Sequence, residues 1–191
     1  MELLTPFNFT MTTRQFIELQ AFYSAELFVE QCLLLDPPTQ IGSTAVPQDL
    51  DAITYGQRID LEEISEDNLL FLPLKVLCEK SEAEILEMNA SQVIRFASMV
   101  AAERQRLNAR DAKDLRYDPD EDEIKAGILK LNNGLFATID SLAKRMHIDH
   151  DAVLQLSQQK VYMMMKIDID SAKYAKRLRK IIEEKRPRKN T

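Results

Sequence analysis

The chain has 191 residues, 45% of them hydrophobic, enough to bury a core as one domain or as two small ones. Only 4 glycines, 7 prolines and no tryptophan occur, which excludes the turn-rich all-β classes and favours helices joined by short loops. A formal net charge of −6 runs against a dedicated nucleic-acid binder, although cations gather near the C-terminus.

Residues 1–10 are mixed, with a brief strand expected at Phe7–Phe9. Thr12 or Thr13 caps a first helix from about Arg14 to Leu35, in which Phe16, Leu19, Tyr23 and Leu27 recur at helical spacing. Asp36-Pro37-Pro38 ends it, because proline lacks the donor and restricts the residue before it. Residues 39–50 read as a linker. A second helical segment starts behind Thr54. The stretch 53–64 echoes 11–22, with Thr12/Thr54, Gln15/Gln57, Ile17/Ile59 and Leu19/Leu61 identical. The echo has two readings, a duplicated unit or a shared helix-start chemistry in which a threonine caps an amphipathic helix.

The apolar run Leu69–Lys80 is divided by Pro73 into a loop and a helix start, and 83–87 suits a short helix. Asn89 or Ser91 caps the next helix, from Gln92 to about Leu107. Asn108–Asp122 is charged throughout, contains Pro119 and marks the boundary between lobes. Another helix follows from Glu123, closed by Asn132-Asn133-Gly134. The stretch 139–156 then reads as two helices joined by a tight turn, with Leu142, Ala143, Met146, Ile148, Val153 and Leu156 on the shared seam. Val161–Lys166 is apolar and methionine-rich, and a last helix starts at 168–171 with Tyr174, Leu178 and Ile181 along one side.

The expected fold class is mainly α: a two-lobed helical protein with a helix-turn-helix-like corner in the C-terminal lobe. Residues 1–110 form the N-terminal helical region, 111–185 the C-terminal lobe and 186–191 a basic tail.

Little in this chain reads as catalytic. No nucleophile elbow or phosphate-binding loop occurs, and Gly42, Gly56, Gly127 and Gly134 are scattered. Cys32 and Cys78 lie in apolar runs without a second cysteine at metal or redox spacing, so two buried, reduced thiols are expected. His147 and His150 flank Asp149, but no other histidine completes a metal set. Met163–Met165 read as core filler before any metal box. No enzyme activity, cofactor or metal is expected. No secretory leader is read at the N-terminus, and the apolar runs fall short of the roughly 20 residues that span a bilayer, so no membrane role is expected.

Two functional readings remain. In the first, residues 139–160 form a helix-turn-helix that reads DNA, presenting His150, Asp151, Gln155, Ser157 and Gln158, with cations such as Lys173, Lys176 and Arg177 on phosphates. Asp149 and Asp151 would repel those phosphates, and His147 stands where such turns prefer glycine.

The second comes from a resemblance. Tyr117–Lys185 is similar to the tail assembly chaperones of long-tailed bacteriophages and prophages. The matching pattern is an acidic helix start at Pro119–Glu123, a turn glycine at Gly134 and the "LAK" helix at Leu142–Lys144. The helix Asp149–Leu154, the apolar run Val161–Met165 and the charged helix Tyr174–Arg179 follow. The stretch Ile53–Leu61 matches the family's "I-T-x-G-Q-x-I-x-L" start. His150 replaces the family's usual proline, and residues 1–50 have no counterpart. The resemblance implies a non-catalytic factor that binds the tape-measure protein, keeps its apolar helices in solution and recruits tail-tube protein. It also implies self-association, action in the host bacterial cytoplasm and absence from the mature virion. Nucleic acid is not an expected partner. Adaptable, methionine-rich surfaces suit this role. The candidate partner-binding residues are Phe16, Leu19, Tyr23, Val161, Tyr162, Met163, Met164 and Met165.

Overall fold

A computed structural model describes residues 10–20, 26–130 and 134–185. Among them the chain is mainly helical, with ten α-helices and one two-stranded sheet. It divides into two compact units, 1–107 and 108–191. No described helix is long and apolar enough to cross a membrane.

In the first unit, α1 (Thr13–Gln20) and α2 (Glu26–Leu33) occupy the segment expected as one helix. The expected strand at Phe7–Phe9 and the candidate Tyr23 lie outside the described residues. Next come β1 (Gln40–Ile41) and β2 (Thr44–Ala45), an antiparallel pair in which Gln40 faces Ala45. Gly42 turns this hairpin at φ 59°, a conformation that glycine adopts without strain. The helices α3 (Tyr55–Asp60), α4 (Leu72–Cys78), α5 (Glu82–Leu86) and α6 (Ala90–Asp114) complete the order.

The expectation that residues 39–50 form a linker is corrected here. Ile41, Val46 and Leu50 are buried and join Ile53, Leu61, Leu74, Ile85, Val93, Phe96 and Leu107 in the main core. A second, smaller core holds Phe16, Phe28, Cys32, Ala90 and Ile94. Helix α6 serves both, because Val93, Phe96 and Val100 face one core while Ala90 and Ile94 face the other. Leu70 packs against each.

The helix starts explain the echo between 11–22 and 53–64. The Thr54 hydroxyl accepts the Gln57 N–H at 3.1 Å, and the Thr54 N–H donates to Gln57 Oε1 at 3.0 Å. The reciprocal pair recurs between Thr12 and Gln15, at 3.3 and 3.0 Å. Thr13 and Phe16 are buried in one copy, Tyr55 and Arg58 at the matching places in the other. The register then diverges: Leu61 is fully buried, Leu19 exposed. The identities Thr12/Thr54 and Gln15/Gln57 are thus two capping boxes. Ser81 with Glu84 and Asp120 with Glu123 use the same device. Ser81 donors to the Glu84 carboxylate pull it down to about 2.

Asn89 accepts the Gln92 N–H at the start of α6, as its sequence position suggests. The helix nonetheless runs to Asp114, well into the expected charged boundary. Half-buried Arg104, on the same side of α6 as Val100 and Leu107, donates to the carbonyls of Leu61 and Ile64, both at 3.2 Å, and so satisfies the end of the short 3-10 turn Leu61–Glu63. Of the two thiols, Cys32 is buried and pushed up to about 11 by that burial, whereas Cys78 is only half-buried.

In the second unit, α7 (Glu121–Lys125) precedes a 3-10 turn at Ile128–Lys130, with Gly127 between them at φ 91°. Asn132 and Asn133 lie outside the described residues, and Gly134 begins α8 (Gly134–Met146) rather than ending the helix before it. After α9 (His150–Leu154) comes α10 (Gln158–Lys185), one continuous helix of 28 residues. The apolar run 161–166 and the last helix, expected as separate pieces, are the same element.

A two-faced terminal helix as the candidate protein-binding surface

Ser157 opens α10 by accepting the Lys160 N–H at 3.3 Å. At about 1.5 Å per residue the helix is about 42 Å long. Its inner face buries Gln158, Val161 and Tyr162, and Met165, Ile169 and Ala172 continue that face half-buried.

Polar contacts anchor this face at three levels. The Arg110 guanidinium lies 3.7 Å from the centre of the Tyr162 ring, and the Tyr162 hydroxyl donates to Asp114. That bond lowers the Asp114 carboxyl and raises the Tyr162 phenol. Arg145 on α8 pairs with Asp168 at 2.7 Å. Lys176 donates to the Asp118 carbonyl at 2.7 Å and to Glu123 at 3.2 Å, and stands 5.3 Å over the Tyr117 ring. Tyr117 in turn donates to Glu123, and that bond chiefly holds the Glu123 carboxyl below its ordinary range. Lys176 therefore belongs to an internal latch between α10 and the start of α7.

Among the described residues nothing covers the opposite face. Ile167 is 51% exposed, Tyr174 60%, Leu178 41% and Ile181 47%. With half-buried Met164 and exposed Ser171 they recur at alternating steps of three and four residues, a seam of the heptad type. From Arg177 to Lys185 every residue is exposed.

The candidate residues named from sequence divide sharply. Phe16 is packed inside the smaller core with its ring centroid 5.4 Å from that of Phe28. Val161 and Tyr162 are likewise internal, because they fall on the inner face of α10. These three are corrected from partner-binding surface to core. Leu19 and Met163 are exposed, while Met164 and Met165 are half-buried. The sequence reading placed Tyr174, Leu178 and Ile181 on one side of the last helix but left them out of the candidate set. The signal that would have included them is the heptad spacing from Met164 through Ile167 to Ile181. In the first unit Leu27, Leu33, Leu34 and Leu35 are also exposed, Leu34 at 79%.

The helix-turn-helix corner has its own geometry. His147 adopts φ 55° and closes α8, with the Ile148 N–H reaching back to the Ala143 carbonyl at 3.1 Å. Asp149 caps α9 by accepting the Ala152 N–H at 2.6 Å. Helix α9 has only 5 residues, little more than one turn, and Gln158 is buried. A helix of that length, with Asp149 and Asp151 at its start, offers a major groove few side chains and the wrong charge. His150 lies 3.4 Å from Asp140 and meets the edge of the Phe136 ring. Among the described residues no three His, Cys, Asp or Glu side chains converge on a metal-sized site.

An open cleft in the second unit is lined by Asp120, Glu121, Asp122 and Glu123 on one side and Lys176, Arg179, Lys180 and Glu183 on the other. Lys176 pairs across it with Asp120 at 3.5 Å and with Glu123 at 3.2 Å, the contacts of an internal latch.

Comparison with protein-family models, with curated proteins and with solved structures finds no match for this chain.

Proposed function

We propose that this protein is a non-catalytic assembly chaperone of the long-tailed phage type, which binds the tape-measure protein and promotes tail-tube assembly in the host cytoplasm. The observation that carries the reading is the amount of large apolar side chain left uncovered on helices. Leu27, Leu33, Leu34 and Leu35 are exposed around α2 in the first unit, and so are Leu19 on α1 and Met163 on α10. Exposed apolar side chains in such numbers mark interaction surfaces, and an acidic exterior keeps a protein that carries them in solution. The ordered resemblance from Pro119 to Arg179 supplies the class of partner: long, apolar helices of a tape-measure protein. Exposed leucines around α2 suit the helix-in-groove mode, in which apolar anchors recur at helical spacing.

The test is co-expression with a tape-measure protein from the same genome. A soluble complex that co-purifies supports the proposal. A tape-measure protein that stays insoluble in its presence refutes it, and so does a complex unaffected by the joint change Leu27→Glu, Leu34→Glu in a chain that remains folded.

A further inference from the structure

The outer face of α10 carries enough pattern to identify what covers it. We propose that it pairs antiparallel with the same face of a second copy of this chain. This does not depend on the tape-measure reading.

The pattern starts with the heptad seam of Met164, Ile167, Ser171, Tyr174, Leu178 and Ile181, which lies opposite the inner face occupied by Tyr162 and Ile169. One antiparallel register places Met164 against Ile181 of the second copy, Ile167 against Leu178, and Ser171 against Tyr174. The small serine then faces the large ring in both central layers, which is how facing layers interdigitate without a void. Lys160 and Lys185 face each other beyond each end of the apolar seam, where their long stems let the charged heads part into water.

Charge decides the direction. In this register the flanking Asp170 of each copy meets Arg177 of the other, giving two symmetric ion pairs. Within one chain Asp170 pairs with Lys166 at 3.4 Å. A parallel pair would instead set the C-terminal halves side by side. Residues 173–185 hold six cations and two anions, whereas 158–170 hold two of each. Parallel pairing therefore repels along half the helix, and antiparallel pairing lays the cationic half against the neutral one. The complete exposure of residues 177–185 fits the same account. A short helical end in water is marginal by itself, and a facing helix supplies the packing it lacks.

The full chain is tested by sedimentation equilibrium from about 1 to 100 µM. A dimer is expected, and a monomer throughout overturns the proposal. Leu178→Asp should yield a monomer with unchanged helical circular dichroism, and a dimer that survives it refutes the seam. Asp170→Arg or Arg177→Asp alone should weaken the dimer about tenfold, and the two together should restore it. Restoration is what a merely structural role for these residues would not give. For direction, the double variant Met164→Cys, Ile181→Cys should form disulfide-linked dimers under mild oxidation, while neither single variant does. Cross-linking of the single variants would show a parallel pair and overturn the register.

Discussion

Replacing Phe16 by alanine separates a core residue from a partner-binding one. The ring is 1% exposed and packs beside Phe28, Cys32, Ala90 and Ile94. A buried phenylalanine removes about 150–250 Å² from water, which at about 25 cal/mol/Å² corresponds to about 4–6 kcal/mol. The alanine that remains keeps part of this, so a loss of about 3–5 kcal/mol is expected, in line with core truncations that leave a cavity. Against a total of about 5–15 kcal/mol this is a large share. The apparent melting temperature of the first unit should fall by at least about 12 °C. Hydrogen exchange resolves the effect by segment. Amides of α6 around Ile94 should lose protection, while those around Tyr162 in the second unit should keep theirs. Leu19→Ala is the matched control: its side chain is exposed, and a change within about 0.5 kcal/mol is expected. A Phe16→Ala loss below about 1 kcal/mol, together with loss of partner binding, would refute the placement of Phe16 in the core.

The remaining predictions concern the helix ends and the latch. His147→Gly should stabilise the second unit by about 1 kcal/mol in urea denaturation, because His147 holds a left-handed conformation that glycine adopts freely; an unchanged midpoint would count against that geometry. Thr54→Ala should cost about 1 kcal/mol, and Thr54→Ser much less, since only the hydroxyl is needed to accept the Gln57 N–H. The latch of Asp120, Glu123 and Lys176 should weaken in acid. Bonding to the Glu123 N–H lowers Asp120, and the Tyr117 hydroxyl lowers Glu123. Both carboxyls are thus depressed in the fold, so their stabilisation is complete above the ordinary carboxylate range of about 4 and is lost as pH falls through the depressed values. Tyr117 ring resonances followed by NMR should shift below about pH 4 and stay constant from there to neutrality.

Several features were legible in the sequence because their physics is local. Thr54 and Asn89 each accept an N–H three residues ahead, a bond formed within a single turn. The scarcity of glycine and the apolar periodicity likewise pointed to a mainly helical fold. The helix starts at 12 and 54 echo each other for the same reason: a threonine and a glutamine at that spacing exchange bonds whatever surrounds them.

Tertiary structure decided which apolar residues are inside. Phe16 and Leu19 look equivalent along a helical repeat, yet one meets Phe28 and Ile94 while the other meets solvent. Residues 39–50 have the composition of a linker, but Ile41, Val46 and Leu50 are buried in one cluster with Leu61, Leu74, Val93 and Phe96 from later in the chain. Tyr162 belongs to the inner face of α10 because Arg110 and Asp114, about fifty residues earlier, come back to meet it. Periodicity gives a helix its faces, but only a distant segment folding against one of them settles which face is buried and which is left for a partner.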